Sequence, residues 1–319
     1  MNLELKIHTS EELSEYINNV ADITYSKEFF SLQKKRYNFD NGFIGIYEND
    51  KLLAIFPANY SEKEFYSVYK NYCEPIIFES VNWKSVISAI KEKFNVKYTE
   101  LNFCFEKSIL NQMDLTKTAL SCFVLKIDKS ENRETLFKKF NKKTRNEIRK
   151  AEKFGFEMKI GGIEYLEKIY ELYKENMKRH GTPAKSKDYF SDLFSWYNRK
   201  CRAIMVFDKE ILAGVNLILI NGNCLRLPFN LSKKEYWNKC VNNLVYYKMI
   251  EWGSSEGIRV FDFGPNLDND KSHSHFKLGF GAEKFPIYKL AVGNKSYFIK
   301  KWINQKRYNL KIRMNRIRG

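Results

Sequence analysis

Between Phe261 and Gly281 the chain reads FDFGPNLDNDKSHSHFKLGFG, which places the acids Asp262, Asp268 and Asp270 ahead of two of its four histidines, His273 and His275, and then Lys277. Carboxylates and imidazoles at close spacing can ligate a metal or act as general bases. A lysine near the start of a short helix, beside unsatisfied backbone N–H groups, suits a phosphate or a developing oxyanion instead. Periodicity separates these uses. IRVFDF alternates as a strand, Gly264-Pro265 ends it, NLDND is loop, and Ser272 caps a short helix running to Gly279. On that helix His273 and His275 point about 200° away from each other, and no HExxH or other ligand spacing accompanies them. No metal site is expected, and the weight moves to Phe276 and Lys277. Asp262, His273, His275 and His180 all remain open as general bases, with a substrate phosphate as a further choice.

A second segment, ETLFKKFNKKTRNEIRKAEKFG, sorts its residues by helical spacing. Phe137, Phe140, Thr144, Ile148 and Ala151 form one stripe, while Lys138, Lys142, Arg145, Arg149 and Lys153 recur on another. Between Phe137 and Lys153 only Glu147 and Glu152 offset this charge. An anion that neutralises the stripe is one reading, and a solvated basic helix is the other. A third segment, NMKRHGTPAKS, closes a helix at His180-Gly181 and turns at Thr182-Pro183. Arg179 and His180 are candidates for a substrate cleft there, beside the plainer reading as capping and surface groups.

These segments need a scaffold. At 319 residues the chain is long enough for two domains, and an apolar fraction of 44% with 25 Phe and 20 Tyr supplies two cores. Helical pattern from Ser10 to about Lys35 leads into strands at GFIGIYE and KLLAIFPANY, a helix at NWKSVISAIKEKF and strands at KYTELNFCF and ALSCFVLKI. The second half repeats that order: a long helix (Arg133 to Lys153), a strand FEMKI, two helices, strands CRAIMVFD, ILAGVNLILING and NCLRLPFNL, a helix, then IRVFDF and FPIYKLAV. Such mixing implies an α/β sheet flanked by helices. The seam is expected near Asp128, giving domains at 1–128 and 129–294, with 295–319 as a separate basic tail. That tail holds nine Lys or Arg and no acid, interleaved with apolar residues. Packing on the protein's own core is its first reading, and contact with an anionic membrane or nucleic acid are the others.

The six cysteines form no CxxC pair, which argues against both a disulfide framework and a thiolate zinc site and reads as core thiols in a reducing cytosol. The N-terminus lacks the order of a secretory signal, and the most apolar run, Ile211 to Ile220, is too short to cross a bilayer. A net charge of +17 attracts polyanions. Walker and GxGxxG motifs are absent, which turns the reading away from nucleotide hydrolases and dinucleotide enzymes.

NKKTRNEIRKAEKFGFEM, MKRHGTPAKSKDYF and FDFGPNLDNDKSHSHFKLGFGAEKFPIYKL, in that order, resemble the FemA/FemB/FemX-related branch of the GNAT acyltransferase superfamily, clearly from about Glu134 to Leu290 and only in architecture before that. The resemblance implies two tandem GNAT-like domains and transfer of an acyl or aminoacyl group onto an amine, with aminoacyl-tRNA or acyl-CoA as co-substrate and no permanently bound cofactor. It implies an acceptor on a peptidoglycan or other cell-envelope precursor, and a cytoplasmic place of work, at the inner membrane face if the tail contacts lipid. The family's Phe-Lys pair falls on Phe276 and Lys277, its basic helix on Lys143, Arg145, Arg149 and Lys150, and its early acceptor segment on FFSLQKKRYNF with Lys35. His273 and His275 become acceptor contacts. Two departures stand out: an acidic loop with an HxH after Gly264, and SKKEYWNKCVNN where a glycine-rich pyrophosphate loop would precede a helix. A non-catalytic module that binds polyanions or an anionic membrane is the alternative function.

Overall fold

The computed structural model describes residues 3–18, 20, 22–69, 71–104 and 116–318. The chain runs through β1 (Leu3–His8), α1 (Ser14–Ile17), α2 (Lys27–Tyr37), β2 (Asp40–Glu48), β3 (Lys51–Tyr60), β4 (Glu64–Tyr66), β5 (Ile76–Ile77), α3 (Trp83–Phe94), β6 (Tyr98–Cys104) and β7 (Thr116–Lys126). It continues through α4 (Arg133–Lys139), α5 (Lys142–Glu152), β8 (Glu157–Gly161), α6 (Leu166–His180), α7 (Lys187–Tyr197), β9 (Cys201–Asp208), β10 (Ile211–Asn221) and β11 (Cys224–Ser232). Last come α8 (Val241–Ser255), β12 (Val260–Leu267), α9 (Lys271–Leu278), β13 (Glu283–Gly293) and α10 (Lys295–Arg318).

Two compact units form, and they exchange segments. The first holds residues 1–122, 265–270 and 284–302, and the second holds 123–264, 271–283 and 303–319. The seam therefore falls inside β7, ahead of Asp128, and the segment from Lys284 belongs with the first unit. The reason is pairing: β13 adds antiparallel to β6 over Ile287↔Cys104 through Gly293↔Tyr98.

Each unit is built in the same way. In the first, β1 to β4 pair antiparallel in chain order, α3 crosses over, and β6 returns parallel to β4. In the second, β8 to β11 pair antiparallel, α8 crosses over, and β12 returns parallel to β11. The duplication of architecture read from the order of elements is present. Inner strands are buried on both faces, as helix-covered sheets require: every residue of β6 is buried, and β10 is buried from Leu212 to Leu219.

Several local expectations change. The helix expected from Arg133 to Lys153 is two helices, because Phe140 turns extended and Asn141 starts α5 by accepting the Thr144 N–H. The segment from Ser10 to Lys35 breaks into α1, a 3-10 turn at Ile23–Tyr25 and α2. The strand expected to end at Gly264-Pro265 runs on to Leu267, and the short helix opens at Lys271 rather than after a Ser272 cap. Cys104 and Cys122, read as independent thiols, are paired sulfur to sulfur with Cα atoms 7.2 Å apart, whereas Cys73, Cys201, Cys224 and Cys240 keep their thiols. Among the described residues no helix is long and apolar enough to cross a membrane.

The basic tail is a 24-residue helix, and its first turn packs on the first unit's core, where Tyr297 lies against Phe39, Tyr66 and Tyr98. Its first turns are pinned to the first unit through the buried Glu100. That carboxylate accepts from Tyr98 and from Asn102 at 3.0 Å, and pairs with Lys301 at 2.9 Å and Lys289 at 3.3 Å. The Lys301 ammonium stands 3.9 Å from the centre of the Tyr98 ring, and Tyr297 stacks on that same ring at 5.2 Å. Burial alone would raise the Glu100 pKa, but the Tyr98 and Asn102 hydrogen bonds and the two lysines outweigh it and hold the group down to about 2. A depressed carboxylate contributes stability above its unfolded pKa, near 4.3, and that contribution is lost as pH falls through the folded value. Glu100→Gln should therefore cost about 2 to 3 kcal/mol near pH 7. In urea unfolding titrations the difference from the parent should shrink steadily between about pH 4.5 and pH 2.

Candidate functional site

The second unit contains a place where two strands part. β11 and β12 pair in parallel only at Cys224↔Val260, Leu225↔Phe261 and Arg226↔Asp262, although β11 continues to Ser232 and β12 to Leu267. The sequence supplies the cause. Pro228 follows two residues after Arg226, and Pro265 three after Asp262; neither has an N–H to continue a ladder. The β10–β11 register also slips between Leu217↔Phe229 and Leu219↔Arg226, so Leu227 and Pro228 bulge opposite a single residue. The strands part just beyond Arg226 and Asp262, leaving backbone edges that can take an extended chain.

The fork is held by a buried ion pair. Arg226 and Asp262 are 7% and 4% exposed, and the Arg226 Nε donates to Asp262 Oδ2 at 2.6 Å. The other oxygen, Oδ1, accepts the Gly264 N–H at 2.8 Å. Gly264 has φ +76, a conformation that disfavours any residue with a Cβ. Its carbonyl accepts from Lys277 Nζ at 2.9 Å, and that ammonium stands 5.4 Å from the Phe123 ring centre. Two residues singled out from sequence, Asp262 and Lys277, thus grip opposite ends of the Gly264 residue. With both its oxygens engaged, Asp262 positions this backbone. Arg226 was not singled out; an arginine amid the apolar NCLRLP run was the available signal, since a cation there needs a buried partner.

Lys277 lies on α9, whose Ser274 and Lys277 form the buried face. His273 and His275, on either side of Ser274, are both exposed, and among the described residues no three His, Cys, Asp or Glu side chains gather into a metal site. Phe276 packs inward, edge-on to Tyr246 at 5.0 Å and against Phe280 at 5.3 Å, so it supports α9 from the core. The end of α9 meets the start of the basic helix: the Asn141 N–H donates to Gly279 O at 2.9 Å, and a Cβ on Gly279 would lie 2.4 Å from Thr144 Oγ1. Two segments more than a hundred residues apart are therefore locked together.

The α5 cations divide between two cavities. Arg145 and Arg149, with Arg133, Lys138, Phe137 and Tyr247, line one of about 790 Å³. Arg145 also donates to the carbonyls of Lys138 and Phe140, closing the C-terminal end of α4, and Arg149 lies 5.4 Å from the Phe137 ring centre. Lys142, Lys143 and Lys150, with Asn146 and Glu147, line the other, of about 520 Å³. Glu147 accepts from Asn243 at 2.9 Å, which ties this cavity to the first turn of α8, a helix with no side-chain cap. Burial raises the Cys240 thiol pKa at that turn, with Lys150 opposing and Glu147 adding to the shift, so Cys240 is not a ready nucleophile.

Arg179 belongs to the other end of β11. It donates to the Ser232 carbonyl at 3.3 Å and covers the Trp237 ring at 4.8 Å. His180 beside it is exposed, and Gly181 closes α6 in the left-handed conformation. From Arg226 to Ser232 the edge of β11 spans about 20 Å, at about 3.3 Å per residue. Lys35 is exposed near the end of α2 in the first unit.

A family model described as the FemAB family matches residues 35–208. The chain belongs to the FemAB family. Among solved structures it resembles one titled "Crystal structure of FemX" at TM-score 0.70 and 12% identity, over 93% of this chain and 99% of that one. A structure of L-PGS from Bacillus licheniformis matches at TM-score 0.54 and 14% identity, over 95% and 98%. A tandem GNAT protein from the clavulanic acid biosynthesis pathway matches at TM-score 0.54 and 9% identity, over 92% and 100%. No curated protein matches by sequence. At these identities the structures establish the fold, which is two tandem GNAT-like domains, and FemAB membership supports an acyltransferase-type role.

The fork gives this family member a stability signature. Removing one partner of a buried ion pair costs about 3 to 5 kcal/mol, whereas replacing both by apolar residues is often near neutral. Arg226→Met and Asp262→Leu should each lower the denaturation midpoint sharply, and the double variant should recover at least half of either loss. Leucine offers no oxygen to the Gly264 N–H, so the double variant should recover stability without recovering activity; activity that returned together with stability would show that Asp262 does not position this turn.

Proposed function

We propose that this FemAB-family chain transfers an acyl or aminoacyl group from a phosphate-bearing carrier, aminoacyl-tRNA or acyl-CoA, to an amino group on a peptidoglycan or related cell-envelope precursor. The observation that carries this reading is the Lys277 ammonium fixed on the Gly264 carbonyl at the fork between β11 and β12. A buried cation held in one place stabilises negative charge far better than a solvated one.

In this reading the acyl arm of the donor lies along the parted strand edges with its carbonyl oxygen toward Lys277. An unprotonated amine attacks the carbonyl carbon; a C–N bond forms, the C–O or C–S bond to the carrier breaks, and the leaving oxygen or sulfur takes up the proton that the amine gives away. No covalent enzyme intermediate is needed, so positioning and charge stabilisation are the protein's share. Phosphates of the carrier are held by Lys142, Lys143 and Lys150 beside the uncapped first turn of α8, with Arg149 over the larger cavity. Phe276 enters as the support of α9, and Arg179 as a contact near Ser232 for the acceptor or the far end of the donor. The exposed His180, His273 and His275 are acceptor contacts in this scheme.

The test separates charge from fold. Lys277→Met keeps the stem and removes the ammonium; it should lower kcat/KM for acylation of an amine acceptor by about 10²-fold or more, with a melting temperature close to the parent's. Full turnover by this variant would remove Lys277 from the reaction. Charged tRNA and acyl-CoA, offered separately, should differ in how far they raise the melting temperature. Lys143→Gln with Lys150→Gln should weaken binding of the effective donor and reduce the dependence of log affinity on log salt by about 2 for a nucleic-acid donor.

A further inference from the structure

We propose that α10 is a membrane-surface helix that docks on anionic lipid. It presents an apolar stripe away from the side by which it is anchored. At about 100° per residue, Ile299, Trp302, Ile303, Leu310 and Met314 fall within an arc of about 120°, and they are 38% to 61% exposed. Tyr297 and Lys301, the residues that hold the helix to Glu64, Glu100 and Tyr98, lie about 160° from the middle of that arc. The anchors turn the greasy side outward. Elsewhere in the fold exposed large apolar residues are spread along the chain; of the seven among the described residues of α10, five gather in this arc, while Phe298, which packs on Tyr98, and Tyr308 lie outside it.

The charge identifies the partner. From Lys295 to the C-terminus there are nine Lys or Arg and no acid, and Lys301 is turned in to Glu100. Lys300 and Arg307 border the stripe and Lys306 sits within it; long stems can lie on apolar surface while their heads reach lipid phosphates. An apolar stripe bordered by cations and carrying a tryptophan fits the boundary of an anionic bilayer. A phosphate backbone would use the cations and leave the stripe wet. A second copy of this helix would bring two acid-free segments face to face, which like-charge repulsion opposes. This inference concerns a face that the transfer reaction does not use, and it stands or falls independently of that reading.

The full chain, with vesicles of phosphatidylglycerol and phosphatidylcholine, tests it. The protein should partition at least about tenfold more strongly onto vesicles rich in phosphatidylglycerol than onto pure phosphatidylcholine, and less so in high salt. Ile299→Ser/Ile303→Ser/Leu310→Ser should weaken that binding at least about tenfold, and each of Lys300→Gln and Arg307→Gln about fivefold. Brominated lipid should quench tryptophan emission of the parent, and Trp302→Phe should remove most of that quenching; this reading needs only the parent and a conservative variant. Equal binding to both vesicle types, a triple variant that binds like the parent, or quenching that survives Trp302→Phe would overturn the proposal. So would a triple variant that changes only a monomer–dimer equilibrium or RNA binding.

Discussion

The buried pair between Arg226 and Asp262 is the interaction on which the site depends. It joins β11 and β12 at their last common register and takes two charges out of water to do so. Such a pair is a weak source of stability, because desolvation offsets most of the Coulomb attraction. What it supplies is position. Once Nε is bonded to Oδ2, Asp262 Oδ1 is aimed at the Gly264 N–H, and the peptide beyond it is held in a left-handed turn that presents its carbonyl to Lys277. The two prolines then prevent the strands from closing.

Only part of this was legible in the residues. Lys277 and Asp262 stood out because they are ionisable groups beside glycines and a strand end, and the structure brings both to Gly264. The histidine pair attracted attention for its chemistry, yet a two-residue spacing on a helix separates the rings, and α9 forms as that spacing requires. Arg226 was overlooked because alternation marked it as one member of a strand. The split of α4 from α5 was missed because Phe140 and Asn141 continue the apolar and polar pattern of a helix, while the break depends on Gly279, a residue more than a hundred positions later, receiving the Asn141 N–H. Contacts at such separation leave little trace in a local pattern.

The same limit applies to charge. A run of cations is easy to count, and the count says nothing of direction. In α5 it divides into Arg145, which closes the end of α4, Arg149, which lies over Phe137, and a lysine group beside the start of α8. In α10 one lysine is turned inward onto a carboxylate while its neighbours face water. Helical spacing orders residues around an axis, but only the partner strand decides which side of that axis is buried.

The duplicated architecture shows how one plan yields two different outcomes. In each unit the crossover strand pairs in parallel for three registers, and the third register carries an acid: Tyr66↔Glu100 in the first, Arg226↔Asp262 in the second. The acid of the second unit finds a cation on the neighbouring strand, so the pair forms within the sheet. The neighbour of Glu100 is a tyrosine, which brings no charge, and the carboxylate must recruit its cations from elsewhere. It takes Lys289 from β13 and Lys301 from α10, and with Lys301 come Tyr297 and Phe298, which pack on Tyr98. The substitution of an aromatic ring for a guanidinium at one register position thus accounts for two features at once. It explains why the first unit's counterpart is covered by the protein's own helix, and why that helix is anchored by one face with its apolar stripe turned to solvent.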